Sequence, residues 1–241
     1  HAAVRMRCFE PQSNGVFVTG TDTDCGKAVV ARGVVAALRS RGLRVGVMKP
    51  VAAGAVSTPE GLRNQDALDL IAESGLDLPY ATVNPCVYVP AIAPHVAAAQ
   101  TGVPIRFAPL LDAFARIRQA SDVVVVEGAG GWRVPLGPDG DMADLAAALR
   151  LPVLLVVGLR LGCLNHALLT AESIERRGCR LAGWVGNVVD PAMAMPDENV
   201  ATLRERLPAP CVGVVPRLDR VTSASVAAQL DSVEIARLLA A

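Results

Sequence analysis

Apolar residues in this chain come in short unbroken runs rather than in strict alternation. The runs 16–19 (VFVT), 45–51 (VGVMKPV), 123–126 (VVVV), 153–157 (VLLVV), 181–185 (LAGWV) and 211–215 (CVGVV) are rich in valine and leucine. Runs of that length and composition read as strands buried on both faces. Between them lie segments that read as helices, at 28–39, 66–72, 95–100, 107–119, 141–149, 167–177, 197–206 and 233–239. Strands alternating with helices predict an α/β fold, a parallel sheet with helices on both faces in three layers. Arg41 and Gly42 mark a helix stop. Residues 52–65 form a loop long enough to be functional, and 78–94 is proline-rich and irregular. There is no internal repeat, low-complexity segment or clear linker. The expected organisation is a flexible lead-in over 1–15 and one domain over 16–241, with His1 a candidate remnant of cloning.

The stretch from Gly20 to Lys27 (GTDTDCGK) sits between the first strand and the first helix. Its G-x-x-x-x-G-K spacing is that of a phosphate-binding P-loop, which makes the fold expected here that of a P-loop NTPase. A loop that wraps a polyphosphate must turn backbone N–H groups inward, which glycine permits. The following helix aims its partly positive N-terminus at the same anion, and Lys27 adds a full charge. The pattern then asks for Ser or Thr as a Mg²⁺ ligand, and this chain has Ala28.

Two further strands end in charge. Lys49 closes the run at 45–48, where ligands sit in open α/β sheets; it reads either as a functional cation or as a solvated strand-end lysine. Glu127 closes the run at 123–126 and is followed by Gly128, Gly130 and Gly131. A carboxylate there is placed to hold a metal or water, or else to decorate a glycine-rich turn. By its position alone Asp66 reads as a helix N-cap, and His95 as a structural hydrogen-bonder at a helix start. The start at Gly162, Cys163, Leu164 and Asn165 offers free N–H groups to an anion.

With 241 residues and 52% hydrophobic residues, the chain can bury a sizeable core, built mostly from Ala, Val and Leu because aromatics are 3%. Lys+Arg and Asp+Glu number 23 each, so nothing in the overall charge argues for nucleic acid or an anionic membrane. The six cysteines, at 8, 25, 86, 163, 179 and 211, show no C-x-x-C or metal-ligand spacing and read as reduced thiols of a cytoplasmic protein. No apolar stretch is long enough to span a membrane, and 1–14 lacks a signal-peptide pattern.

Taken together, 19–27 (TGTDTDCGK), 49–54 (KPVAAG), 58–66 (TPEGLRNQD), 80–85 (YATVNP), Pro94 with His95, 126–132 (VEGAGGW), 162–170 (GCLNHALLT) and 182–187 (AGWVGN) resemble the ATP-dependent dethiobiotin synthetases, in order and spacing over residues 16–218. The resemblance implies ring closure of 7,8-diaminopelargonic acid with CO₂ and ATP, through a carbamate and its phosphorylated form, in biotin biosynthesis. It implies that Lys49 and Lys27 are catalytic. Asp24, Cys25, Gly26, Lys27, Ala28 and Val29 would hold the phosphates, with Gly130 beside them. Asp66 and Glu127 would hold Mg²⁺, which sets aside the N-cap reading of Asp66. Asn187, Pro216 and Leu218 would line the adenine. Thr23, Lys49, Ala53 and Gly130 would meet the substrate. The resemblance further implies a homodimer in which Gly162, Cys163, Leu164 and Asn165 of the partner take the substrate's remote carboxylate.

Two positions depart from the family pattern: Ala28 replaces a Mg²⁺-binding Thr, and Ala53 a substrate-contacting Ser. Each removes a hydroxyl near charge, worth about 1.5–3 kcal/mol. An alternative reading follows, a nucleotide-binding relative impaired in catalysis. A third, another ATPase of the same superfamily, has no second signature lysine or glutaminase context here to support it.

Overall fold

A computed structural model describes residues 15–239. Its centre is a six-stranded sheet made of β1 (Gly15–Gly20), β2 (Val45–Met48), β3 (Val123–Glu127), β4 (Val153–Leu159), β5 (Leu181–Val188) and β6 (Cys211–Val215). The spatial order is β6-β5-β4-β1-β3-β2. Every pairing is parallel, with Phe17 opposite Val153 on one side of β1 and opposite Val126 on the other. The α/β expectation therefore holds, with strand ends displaced by at most three residues.

Pleating divides β1 and β3 cleanly. Val16, Val18, Val123 and Val125 face one core with Val30, Val34 and Leu38 of helix α1 (Lys27–Arg39). Phe17, Val124 and Val126 face the other core. There they meet Leu110 and Ile117 of helix Phe107–Gln119 and Leu145 of helix Met142–Leu149. Both faces of these strands are covered, which is why their sequences are continuously apolar instead of alternating. A third cluster joins Leu155, Val157 and Trp184 to Ala167 and Leu203 toward the β6 edge.

Several elements differ from expectation. The long segment 52–65 carries a short antiparallel hairpin, Val56–Thr58 with Gly61–Arg63. Helix α2 (Gln65–Ser74) is capped by Asn64 and not by Asp66: Asn64 has extended backbone angles and its side chain accepts from the Ala67 N–H at 3.3 Å. Asp66 instead lies in the first turn. The helix expected over 167–177 begins earlier, as Cys163–Arg176. A five-residue helix at Ser223–Ala227, held by a Thr222–Ser225 capping box, is too short to announce itself by periodicity. The lead-in expectation falls on residues 1–14, outside the described residues, while Gly15 already belongs to β1. Cys25, Cys86, Cys163, Cys179 and Cys211 are free thiols, and Cys8 lies outside the described residues. Among the described residues no helix is long and apolar enough to cross a membrane.

Candidate functional site

Because the sheet is parallel, the carboxyl ends of its strands share one edge, and the charged residues that terminate them converge there. The P-loop leaves β1, crosses that edge and enters α1. Asp24 (φ 58°) and Gly26 (φ 92°) both adopt left-handed backbone angles. At Gly26 this is compulsory on two counts. An added Cβ would sit 2.0 Å from Asn187 Nδ2, and L side chains disfavour that φ. Asn187, near the end of β5, donates from Nδ2 to the Cys25 carbonyl at 3.1 Å and so braces the loop. The Cys25 side chain is wholly buried beneath the loop. No side chain caps α1, and no acidic residue lies in its first turn. Its first amides are therefore free to meet an anion.

Above this loop lies a cleft of about 690 Å³. It brings together Thr23, Asp24, Gly26, Lys27 and Ala28 from the P-loop side, Lys49 and Ala53 from the end of β2, Asp66 from α2, and Glu127 and Gly130 from the end of β3. Lys27 is nearly buried, and its ammonium donates to the Asp22 carbonyl at 2.9 Å.

The electrostatic centre of the cleft is Lys49. It is 5% exposed, and its ammonium donates to Glu127 Oε1 and, at 3.2 Å, to Asp66 Oδ2. Glu127 is as deeply buried, while the Asp66 side chain is 45% exposed at the cleft mouth. Burial opposes the charge on Lys49, but Glu127 and then Asp66 outweigh it and raise the pKa above that of an ordinary lysine. Burial also raises Glu127 above the usual carboxylate range, with Lys49 opposing and Asp66 reinforcing. Both directions favour keeping a proton within the pair. The second oxygen of Glu127, Oε2, is buried with no hydrogen-bond partner. A buried carboxylate oxygen without a donor is costly and ready for a cation.

The other residues named from the sequence lie apart from this cleft. Val29 and Leu218 pack against the α1 core, and Pro216 is exposed beyond β6. The helix start at Gly162 (φ 95°) has Cys163 buried and Asn165 exposed, and none of Gly162 to Asn165 lines the cleft. The structure adds residues that sequence reasoning missed. Asn64 lines the cleft, and its Nδ2 donates to the Ala53 carbonyl at 3.3 Å; its capping position before an apolar-periodic segment was the available signal. Ala91, Ile92 and Ala93 also line it and carry no local signal of chemistry, while the adjoining Pro94 belongs to the motif with His95. Arg160, just after β4, pairs with Asp22 at 2.7 Å and ties the outer P-loop down.

Comparison with known proteins agrees with this geometry. A family profile described as an AAA domain matches residues 14–225. The chain is 56% identical over 216 residues to an ATP-dependent dethiobiotin synthetase of Pseudomonas aeruginosa, covering 89% of this chain and 95% of that one. It is 55% identical over 217 residues to the synthetase of Cellvibrio japonicus (89% and 94% covered). Against that of Xanthomonas oryzae pv. oryzae it is 48% identical over 227 residues (94% and 100% covered). Among solved structures, the MinC:MinD cell division complex of Aquifex aeolicus matches with TM-score 0.57 at 15% identity, covering 94% of each chain. The signal recognition particle receptor FtsY of Elizabethkingia anophelis matches with TM-score 0.53 at 15% identity, covering 94% of this chain and 65% of that one. These distant structures speak for the fold alone. On a parallel sheet with a P-loop at the head of its first helix, and at this level of identity over almost the whole length of its relatives, the chain belongs to the ATP-dependent dethiobiotin synthetases.

Proposed function

We propose that the cleft binds ATP and 7,8-diaminopelargonic acid and closes the ureido ring of dethiobiotin in three steps. One substrate amine adds to CO₂, releasing a proton and giving a carbamate. A carbamate oxygen attacks the γ-phosphorus of ATP, and ADP leaves. The second amine then attacks the carbonyl carbon and expels phosphate. The observation that carries this reading is the buried Lys49 ammonium at the strand end, in the same cleft as Lys27 and the open N-terminus of α1.

The chain's own groups divide the work. The carbamate is an anion, and Lys49 is the cation placed to receive it, exchanging part of its contact with Asp66 or Glu127 for the new partner. Lys27 holds the transferring phosphoryl group once it leaves the Asp22 carbonyl. Phosphoryl transfer needs positioning and charge neutralisation more than covalent help, and the loop amides supply both. Asp66 and Glu127 suit a hard divalent cation; the unpartnered Oε2 of Glu127 is the observation that supports this fit. When bound, Mg²⁺ would neutralise charge on the phosphates. Asn187 lies against the P-loop, bonded to the Cys25 carbonyl, which agrees with adenine lying close to the loop. Gly162 to Asn165 would reach a substrate only in a second copy of the chain, so a homodimer completes the site in this reading.

A second reading is favoured by Ala28 and Ala53, which place two methyl groups in the cleft where the family has hydroxyls. In it the protein binds nucleotide and turns over poorly. Phosphate release from MgATP, measured with and without the diamine and bicarbonate while dethiobiotin is followed by mass, separates the two. Release that depends on both substrates, with product, supports ring closure. Persistent nucleotide binding without product supports the impaired reading.

Ala28 gives a sharper test. Restoring the hydroxyl with Ala28→Thr is expected to tighten MgADP binding by one to two decades, the equivalent of about 1.5–3 kcal/mol, and to leave metal-free ADP affinity unchanged. Calorimetric titration with and without Mg²⁺ checks this. Equal MgADP affinity in both proteins would mean that another group already fills the role.

A further inference from the structure

The main-chain groups of Lys49 are not held by the sheet. The register of β2 against β3 ends with Met48 opposite Val126. Beyond it, the Lys49 N–H donates to the Val83 carbonyl at 2.8 Å, and its own carbonyl accepts from Asn84 Nδ2 at 2.7 Å. Asn84 is 1% exposed. Its Oδ1 accepts from the Tyr80 hydroxyl at 2.8 Å, and that hydroxyl accepts from the Asn64 N–H at 2.7 Å. Asn64 in turn caps α2, whose first turn carries Asp66, and Asp66 meets the Lys49 ammonium at 3.2 Å. The bonds thus form a closed circuit that leaves Lys49 through its backbone and returns to it through its side chain. The donor directions are consistent all the way round, and Arg63 lies 4.3 Å over the Tyr80 ring, which holds the phenol in place.

We propose that Tyr80 and Asn84 are positioning residues, which set where the Lys49 ammonium stands relative to Asp66 and Glu127 and thereby its readiness for the anionic intermediate. Neither residue lines the cleft, so neither is assigned contact with substrate. Their effect is geometric. The two ends of the circuit are the strand end that carries the cation and the helix start that carries one of its carboxylates. A site of this kind loses rate when its geometry loosens by a fraction of an ångström. The proposal rests on the role given to Lys49 above.

The test is steady-state dethiobiotin formation by Tyr80→Phe, with Tyr88→Phe and Lys49→Ala alongside. Tyr80→Phe keeps the ring under Arg63 and removes only the hydroxyl that joins Asn64 to Asn84. Tyr88 is the matched comparison: it is 2% exposed and its hydroxyl donates to the Val103 carbonyl at 2.9 Å, outside the circuit. The expected result for Tyr80→Phe is a kcat lowered about tenfold with KM for ATP changed less than twofold, and a melting temperature lowered no more than in Tyr88→Phe, which keeps its kcat. A Tyr80→Phe kcat within twofold of the parent, while Lys49→Ala is inactive, overturns the positioning role alone. So does an equal fall in kcat in Tyr80→Phe and Tyr88→Phe, which would mark both as stability effects. Normal turnover in Lys49→Ala overturns the role of Lys49 and the inference built on it.

Discussion

Lys49→Ala is expected to lower dethiobiotin formation by at least two to three orders of magnitude while nucleotide binding persists. Removing one preorganised charge-stabilising group from an enclosed site typically costs that much in rate, and Lys27 and the P-loop amides remain to hold nucleotide. The change also leaves Glu127 buried with neither oxygen bonded to an ammonium, since Oε2 has no partner even in the parent. Breaking a buried pair from one side costs about 3–5 kcal/mol. Part of that cost has a sign in pH. Burial already raises the Glu127 carboxyl, and loss of the opposing lysine raises it further. A carboxyl whose folded pKa lies above its unfolded value favours the native state when protonated, so the variant should lose stability as pH rises above about 4, the ordinary glutamate range. Thermal melts at several pH values check this. The double variant Lys49→Ala with Glu127→Gln removes the uncompensated charge. It should regain much of the stability and none of the turnover, which separates chemistry from folding. Full turnover in Lys49→Ala would remove the lysine from the mechanism.

Gly26→Ala should weaken ATP binding by about two orders of magnitude. The new methyl group would stand 2.0 Å from Asn187 Nδ2 at a φ of 92°. Left-handed backbone costs a non-glycine residue about 1–2 kcal/mol. Displacing Asn187 would also break its bond to the Cys25 carbonyl, worth about 1 kcal/mol more. The loop must change shape, and with it the cradle of amides. Gly42 offers the comparison. It has φ 83°, nothing within 4 Å of an added Cβ, and a place just beyond the far end of α1. Gly42→Ala should carry only the backbone penalty, seen as a lower melting temperature with ATP affinity unchanged. Equal ATP affinity for Gly26→Ala and the parent would show that the loop re-forms around the methyl group.

The parts of the site written contiguously are legible in the sequence. The P-loop is one local pattern, and Lys49 and Glu127 stand at the ends of apolar runs that could only be buried strands. In a parallel sheet, strand ends of that kind must share an edge, so topology alone implied that they would meet. Asp66 was legible only through its family resemblance. Its local context read as a helix cap, and that task falls two residues earlier, to Asn64, whose extended backbone and short amide suit it better. The wall at Ala91, Ile92 and Ala93 left no trace in the pattern, because apolar residues look alike in a wall and in a core.

The amino-acid sequence by itself determined the α/β class, the phosphate loop and the charged strand ends, because each depends on residues adjacent in the chain and on strand and helix periods. Only the tertiary structure decided that one ammonium is shared between carboxylates 17 and 78 residues away. It alone decided that Asn187 braces the P-loop across a separation of 162 residues, and that Asn84, itself bonded by the Tyr80 hydroxyl, holds the backbone carbonyl of Lys49. Those contacts depend on which surfaces pack together, and no local pattern of residues encodes a partner that far along the chain.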